Sequence, residues 1–531
     1  MKKIYLSLLV LTSVSAMAQN WVWAKDRNTN NSDVSSRDLF KDAADNIYVL
    51  NADRICKYNS AGNSLWTKNS IAVNFMDFET DKIYTSTQFT GTLAVGTNTF
   101  TSRSYYDMVV TKWDSSFNTP AWSVQFKGSV ANGADKVYPL NIKTVNGFTY
   151  VLGNFDDSLI VNTTALAAVN HYGTFITKLD ASGNIIFVKS IGYIFGSAIG
   201  QFSVEDMEID ATGNIYFAGM FEEANILGTL YLANHTFPYG SYQLDPFYMK
   251  LDNSGTPVFF RSFSGSQQKI EKIKSIKLDG NNILVAGTYE DSLHINSTAL
   301  LAVPGSTSSA YIASLDIATG NSNWVKNITS SKSATAASLV TDASGNIYFT
   351  GAYQADMLFN GTAYATANAT LLNGYILKLN NTGSTQWSNL TGDYYQSTSS
   401  ILLLNSGDVV IGGNYSGPFT FSIGTNTLPG TLGYSHPFLA RSSNAAAGIK
   451  DNSVATNQYI PFPNPSTGKF KILSNENIKQ VNIFDVKGGL IKTFNQDINI
   501  GTELEITESG IYFLQIITDK QSSIKKIIIN N

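Results

Sequence analysis

Along most of this chain apolar residues alternate with polar ones in short runs, and Gly, Asn, Asp and Thr punctuate the runs. A period of two is the mark of strands that bury one face. The runs themselves recur. DATGNIYFAGMF (Asp210 to Phe221) returns as DASGNIYFTGAY (Asp342 to Tyr353), and more loosely as DGNNILVAGTY and NSGDVVIGGNY. Tyr150, Tyr216, Leu284, Tyr348 and Val410 hold one register at spacings of 66, 68, 64 and 62 residues. A fixed period longer than one supersecondary unit predicts an array in which each copy covers its neighbour.

Each copy contains four extended segments. A short apolar run such as VEDMEI or AASLVT comes first, and NIYFAG or NIYFTG second. FITKLD, YMKLD or YILKLN is third, and the fourth opens on an aromatic: LWTKN, IFVKS, FFRSF, NWVKN, QWSNL. The Asp-x-x-Gly-Asn between the first two reads as a tight turn, with Asp bonding its own backbone and Gly taking positive φ. Such turns lack the further acidic positions and closing Glu of a calcium loop.

Six aromatics open fourth segments: Trp66, Trp122, Phe187, Phe259, Trp324 and Trp387. The last third segment, HPFLARS (His436 to Ser442), is followed by SSNAAAGIKDNSVATN and no such segment. NWVWAKD near the start supplies it, with Trp23 and Lys25 where Trp324 and Lys326 stand in NWVKN. The pattern predicts an all-β, seven-bladed β-propeller of four-stranded blades over 19–442, closed at Trp23, so that no sheet edge is left open. An open solenoid would not need the two ends to match. The D-x-x-G-N-I-Y-x-x-G and F-I-x-K-L-D lines resemble those of bacterial β-propeller repeat proteins, a likeness that implies fold far more than activity.

Residues 458–531 break the period. YIPFPNPSTGKFKIL, VNIFDVKGGLIKTF and ELEITESGIYFLQIITDKQSSIKKIIIN alternate and turn as a small Ig-like β-sandwich would. They resemble the C-terminal sorting domain of the type IX secretion system of Bacteroidetes. The resemblance rests on Pro463-Asn464-Pro465 with Gly468, the turn from Asp485 to Gly488, Gly510 with Tyr512, and the Lys-rich last strand. Ser509-Gly510 stands where that family usually has Gly-Gly or Pro-Gly. The resemblance implies passage through the inner membrane and handling by type IX machinery, ending in secretion or surface attachment. Residues 443–457 are the expected linker.

Composition adds the export route. Residues 1–18 read as a signal peptide: Lys2 and Lys3, an apolar stretch from Ile4 to Leu11, and Ala16-Met17-Ala18, predicting cleavage between Ala18 and Gln19. No later segment approaches the roughly 20 apolar residues of a membrane helix. Charged residues make up 14% of the chain and the formal charge is −4 with no basic run, which excludes a nucleic-acid footprint. Cys56, the single cysteine, reads as a small buried thiol.

Candidate chemistry is sparse. His171, His235, His294 and His436 have no metal-ligand spacing, and no nucleophile elbow or phosphate loop occurs, so no catalytic, metal or cofactor residues are expected. SLDIATGNSNW (Ser314 to Trp324) is similar to the repeat of quinone-dependent dehydrogenases, in the hairpin alone, and Trp324 reads as packing. The connection from second to third strand is long in six copies and short in the first, where Tyr48 and Lys57 are 9 residues apart. The inserts (TLAVGTNTFTS, DSLIVNTTALAAV, DSLHINSTALLAV, FTFSIGTNTLPG) read as extra hairpins gathered on one face, the expected contact surface. The leading expectation is an exported, non-catalytic binding or adhesive protein for a glycan or protein. A glycan-active lyase or glycosidase and a purely structural surface component are the alternatives. An enzyme of that kind should gather carboxylates around a central channel, and the first-strand ends offer few.

Overall fold

The computed structural model describes residues 21–26, 36–51, 54–69, 73–128, 135–194, 202–222, 230–232, 244–266, 269–365, 369–391, 395–416, 421–423, 426–428, 435–443, 459–474, 477–485, 489–495, 502–518 and 522–530. The expected signal peptide, Ala18, Gln19 and Gly488 lie outside them. Every helical or extended element among the described residues is a β-strand. The chain divides into two compact units, 1–447 and 448–531.

In the first unit the strands pair as antiparallel quartets, each in sequence order. Six quartets occupy 36–69, 75–127, 137–194, 202–262, 272–329 and 333–390, called here the first to sixth sheets. The seventh sheet joins Tyr395–Leu403, Val409–Ser416 and Ser435–Ser442 to Trp21–Asp26. Trp23 stands opposite Arg441 there, as Trp66 stands opposite Lys57 and Trp387 opposite Lys378. Consecutive sheets share a core. Phe349, Leu377 and Leu379 of the sixth pack with Ala286 and Ile312 of the fifth, while Trp23, Val410 and Leu439 of the seventh pack with Leu39, Ile47, Val49 and Cys56 of the first. Cys56 is buried.

The repeated letters have local causes. Asp210 accepts from the Thr212 and Asn214 amides at 3.0 and 2.9 Å, and Gly213 turns with φ 85°. Its other oxygen takes the hydroxyl of Tyr216, and Lys250 from the third strand lies 5.1 Å over that Tyr ring. The same Asp–Tyr–Lys stack recurs at Asp342, Tyr348 and Lys378. Burial raises the carboxyls of these turns, but hydrogen bonds from the Asn214 and Asn346 side chains, then from backbone amides, outweigh it and keep Asp210 and Asp342 below the ordinary carboxylate range.

The second unit has two antiparallel sheets. Tyr459–Phe462, Lys469–Ser474 and Glu503–Glu505 form one, and Leu490–Phe494, Gln480–Phe484, Gly510–Ile517 and Ser522–Ile529 the other. Phe470, Ile472, Val481, Ile483, Leu514 and Ile527 fill the core between them.

Candidate binding site

The first strands of six sheets, all but the second, carry a shared irregularity. Register slips by one residue after Ser36, Pro139, Val204, Ile273, Ala336 and Thr398, so each of these strands bulges at the same place. A bulge re-aims a side chain. Here it turns residues into a cavity of about 450 Å³ lined by the first strands of all seven sheets. Two bulge residues, Glu205 and Lys274, form an ion pair at 2.6 Å.

The lining is asymmetric. Around the third to fifth sheets Lys143 lies 3.6 Å from Glu208, and Lys277 pairs with both Glu208 and Asp206. Asp206 also accepts from the Ser275 hydroxyl and the Ile276 amide at 3.0 and 3.1 Å. Burial pushes the Asp206 carboxyl up, but Lys277 and Lys143 outweigh it and hold it below the ordinary value. Burial likewise opposes the charge of Lys143, and Glu208, Asp77, Asp206 and Asp38 outweigh it, raising the ammonium pKa. On the first and second sheets Asp38 and Asp77 have no ion pair among the described residues. Asp77 is buried and accepts from the Thr144 amide. Asp38 is accessible from the cavity yet ringed by protein. Loss of bulk water lifts both carboxyls to about 6, with Lys143 pulling the other way. The remaining wall, from the sixth and seventh sheets, is Ala337, Ser338, Val340, Ser399, Ile401 and Leu402.

The strand pattern predicts few carboxylates here, and the structure corrects it. Asp38 in SRDLF and Asp77 in FMDFE look like the polar half of ordinary strand alternation, so nothing in the letters marks them as lining a cavity.

The inserts fold as hairpins, at Thr92–Val95 with Asn98–Thr101, Ser292–Ile295 with Thr298–Leu301, and Asp356–Phe359 with Thr362–Ala365. They do not stand on one face as expected. Each runs back along the sheet edge: the tips at Asn296 and Asn360 reach the turns at Gly320 and Gly383, between the third and fourth strands. The reason is the open edge of the preceding sheet. Phe359 and Leu358 pair with Ile328 and Thr329, Val161 and Ile160 with Phe126 and Lys127, and His294 and Leu293 with Ser264 and Gly265.

Trp23 makes the contact its repeat partners make. Its indole N–H donates to the Ser60 carbonyl at 3.1 Å, as Trp122 donates to Ala181 and Trp324 to Asn381 at 3.0 and 2.9 Å. A Cβ on Gly62, Gly183 or Gly383 would run into the respective ring.

In the second unit the singled-out residues lock turns and an edge. Asn464 donates to the Lys526 carbonyl and accepts from the Ile528 amide, both at 2.9 Å, so its side chain continues the ladder of Ser522–Ile529. The bonds preceding Pro463 and Pro465 are cis. Gly468 has φ 106°, and its carbonyl accepts from Ile506. Asp485 accepts from the Gly489 amide at 2.8 Å. The buried Tyr512 donates to the Glu508 carbonyl and packs close to Gly510.

Residues 461–530 match the model of the secretion system C-terminal sorting domain. This is a type IX sorting signal. The chain is exported by type IX secretion, to the cell surface or the medium. No curated protein sequence matches the chain. Among solved structures it is similar to a protein of unknown function from Bacteroides caccae, at 10% identity over 68% of this chain and 94% of that one, TM-score 0.31. A DUF4221 member from Bacteroides vulgatus aligns at 10% identity over 80% and 97%, TM-score 0.31. A Trypanosoma rangeli sialidase mutant aligns at 9% over 96% and 89%, TM-score 0.30. Similarities at this level bring no activity to this chain.

Proposed function

We propose that this is an exported, non-catalytic binding or adhesive protein: a seven-bladed β-propeller closed by Trp21–Asp26, followed by an Ig-like sorting sandwich that type IX machinery reads through Pro463, Asn464, Pro465, Gly468, Asp485, Gly488, Gly510 and Tyr512. The pairing of Trp23 with Arg441 and the cores shared by consecutive sheets support the ring. Cleavage between Ala18 and Gln19 releases the mature start, and the linker 443–457 separates the propeller from the sorting domain.

The binding surface is the hairpin-clad rim, and its ligand is a glycan or a protein. One observation carries this. Leu301 and Leu358, on the hairpins of neighbouring sheets, are 66% and 49% exposed. Large apolar side chains held in solvent on rigid, paired hairpins suit contact with a partner. A glycan array and a surface-protein array, probed with the exported protein and with Leu301→Ser/Leu358→Ser, test it. Signal that drops about tenfold in the variant, with an unchanged melting curve, is the expected result. No signal on either array, or an equal signal from the variant, rejects the rim.

A further inference from the structure

A second, open cavity of about 640 Å³ lies between the fifth and sixth sheets, and neither Leu301 nor Leu358 lines it. Its origin is a break in the repeat. In the first, second, third, fourth and sixth sheets a third-strand Lys lies over the ring of a second-strand Tyr. The pairs are Lys57 on Tyr48, Lys112 on Tyr84, Lys178 on Tyr150, Lys250 on Tyr216 and Lys378 on Tyr348. In three of these sheets the Tyr also packs on the fourth-strand Trp: Tyr48 on Trp66, Tyr84 on Trp122 and Tyr348 on Trp387. The fifth sheet has Leu284 and Ser314 at those two positions. Ser314 stands opposite Trp324 as Lys378 stands opposite Trp387. A ring and a lysine arm are thus missing beside Trp324, and the cavity opens there.

The groups around this space suit a polyol. Asn323 stands where the first, third and fourth sheets have Leu65, Ile186 and Val258. Its Nδ2 donates to Asn282 Oδ1 at 2.8 Å and to Ser314 Oγ at 3.2 Å. In the sixth sheet both ends of the corresponding amide are used: Gln386 donates to Asn346 Oδ1 at 3.1 Å, and Asn346 Nδ2 donates to Asp342 at 2.8 Å. The fifth sheet turns more tightly, with Asp279 paired directly to Asn282. Asn282 Nδ2, Asn323 Oδ1 and the Asp279 carboxylate consequently have no protein partner among the described residues. The indole is held in place from below, its N–H donating to the Asn381 carbonyl at 2.9 Å. Free donors, free acceptors and an aromatic surface therefore meet in one place, and no Lys or Arg lines it. A pyranose ring has the complementary make-up, with apolar C–H faces and hydroxyls that both donate and accept.

We propose that this cavity binds a neutral sugar residue of a glycan, its ring against the Trp324 indole and its hydroxyls on Asn282, Asn323 and Asp279. The volume lies within the roughly 300–1,000 Å³ of small-molecule sites, and the open side lets a longer glycan continue into solvent. An acidic sugar would meet the Asp279 carboxylate with no cation to offset the repulsion. The site is independent of the rim.

The test is an array of neutral and acidic glycans, followed by calorimetric titration with the free oligosaccharide of the strongest neutral signal. The exported protein is compared with Ser314→Lys, Asn323→Ala and the rim variant Leu301→Ser/Leu358→Ser. Ser314→Lys restores the arm that five other sheets carry and should abolish binding of the neutral glycan. Asn323→Ala, at an exposed position, should weaken it about tenfold with an unchanged melting curve. The rim variant should bind it as the wild type does. Loss in the rim variant, with full binding by Asn323→Ala and Ser314→Lys, overturns the cavity and leaves the rim standing. A preference for acidic glycans, or no heat from a neutral one at millimolar concentration, also overturns it, while a signal on the surface-protein array is untouched by either result.

Discussion

Two seams in the repeat unit are held together by different means. Between the fifth and sixth sheets main chain adds to the shared core and the Trp324 contact: the hairpin of the sixth pairs with the outer strand of the fifth at Ile328 and Thr329. Between the seventh and first sheets the first copy has no hairpin to offer, since its second and third strands are joined directly. Side chains take over. Trp23 covers Gly62, and Arg441 reaches the Ser60 carbonyl at 2.7 Å and Asp408 at 2.6 Å. Asp45, with φ 59° where the third to seventh sheets have Gly, accepts from the Asn405 amide at 2.9 Å. A seam without strand pairing thus rests on its shared core and on a few charged and aromatic groups, and single substitutions should expose that dependence.

The largest effect falls on the closing strand. Deleting residues 21–26 leaves the edge of Ser435–Ser442 unpaired and should produce association in sedimentation or light scattering. Trp23→Ala removes a ring that is only 8% exposed. Truncating a buried Trp costs about 3–5 kcal/mol, so its melting temperature should fall at least as far as that of Trp324→Ala, whose ring is half-buried. An unchanged melting temperature for Trp23→Ala beside a clear drop for Trp324→Ala would show that the N-terminal strand does not hold the seam.

Arg441→Ala comes next. It leaves the Asp408 carboxylate without its guanidinium and the Ser60 carbonyl with one donor fewer. Breaking a partly buried pair of this kind should cost about 2–4 kcal/mol, below the 3–5 of a fully buried one. Arg441→Lys should recover less than half, because one ammonium cannot span both acceptors. Full recovery by lysine in denaturant unfolding would mean that the charge alone matters.

What could be read from the sequence follows from this contrast. The strands, the Asp-x-x-Gly-Asn turns and the match of Trp23 to Trp324 are local patterns repeated many times, and repetition makes each copy evidence for the others. The cavity charges are not repeated. Asp38, Asp77, Lys143 and Lys277 come from four different first strands, three of which bulge, and a bulge leaves no letter in the sequence. The return of the hairpins along the rim was equally hidden, because pairing to a preceding sheet is a relation between copies rather than within one.

The seam between the fourth and fifth sheets gives a pH-dependent version of the comparison. Glu271 is fully buried, and neither carboxyl oxygen has a well-formed hydrogen bond. Burial, with Asp245 and Glu290 adding to it, lifts its carboxyl to about 8, and the Ser266 and Glu290 amides relieve this only in part. The folded state therefore keeps a proton that the unfolded chain gives up near 4.5. Stability from this group is full below about 4.5 and declines as pH rises toward 8. Glu271→Gln should remove that decline, so the variant gains melting temperature relative to wild type between pH 5 and 8. A constant difference across the range would assign Glu271 a partner.

The smallest effect concerns an indole N–H. Trp324 and Trp122 donate to the turn between the third and fourth strands of the following sheet. Trp387 faces the seventh sheet, whose fourth strand comes from the other end of the chain, so no such turn joins its third and fourth strands. Its N–H is buried and has no acceptor among the described residues. Closing the sheet with a distant segment thus removes a carbonyl that the repeat would otherwise supply. Leaving a buried donor unpaired costs about 1–3 kcal/mol, and replacing Trp387 by Phe relieves that while losing some ring volume. Trp387→Phe should shift the melting temperature little, whereas Trp324→Phe loses both volume and a made hydrogen bond and should shift it more. Equal losses in the two variants would indicate that the Trp387 N–H is satisfied and that the split sheet carries no such cost.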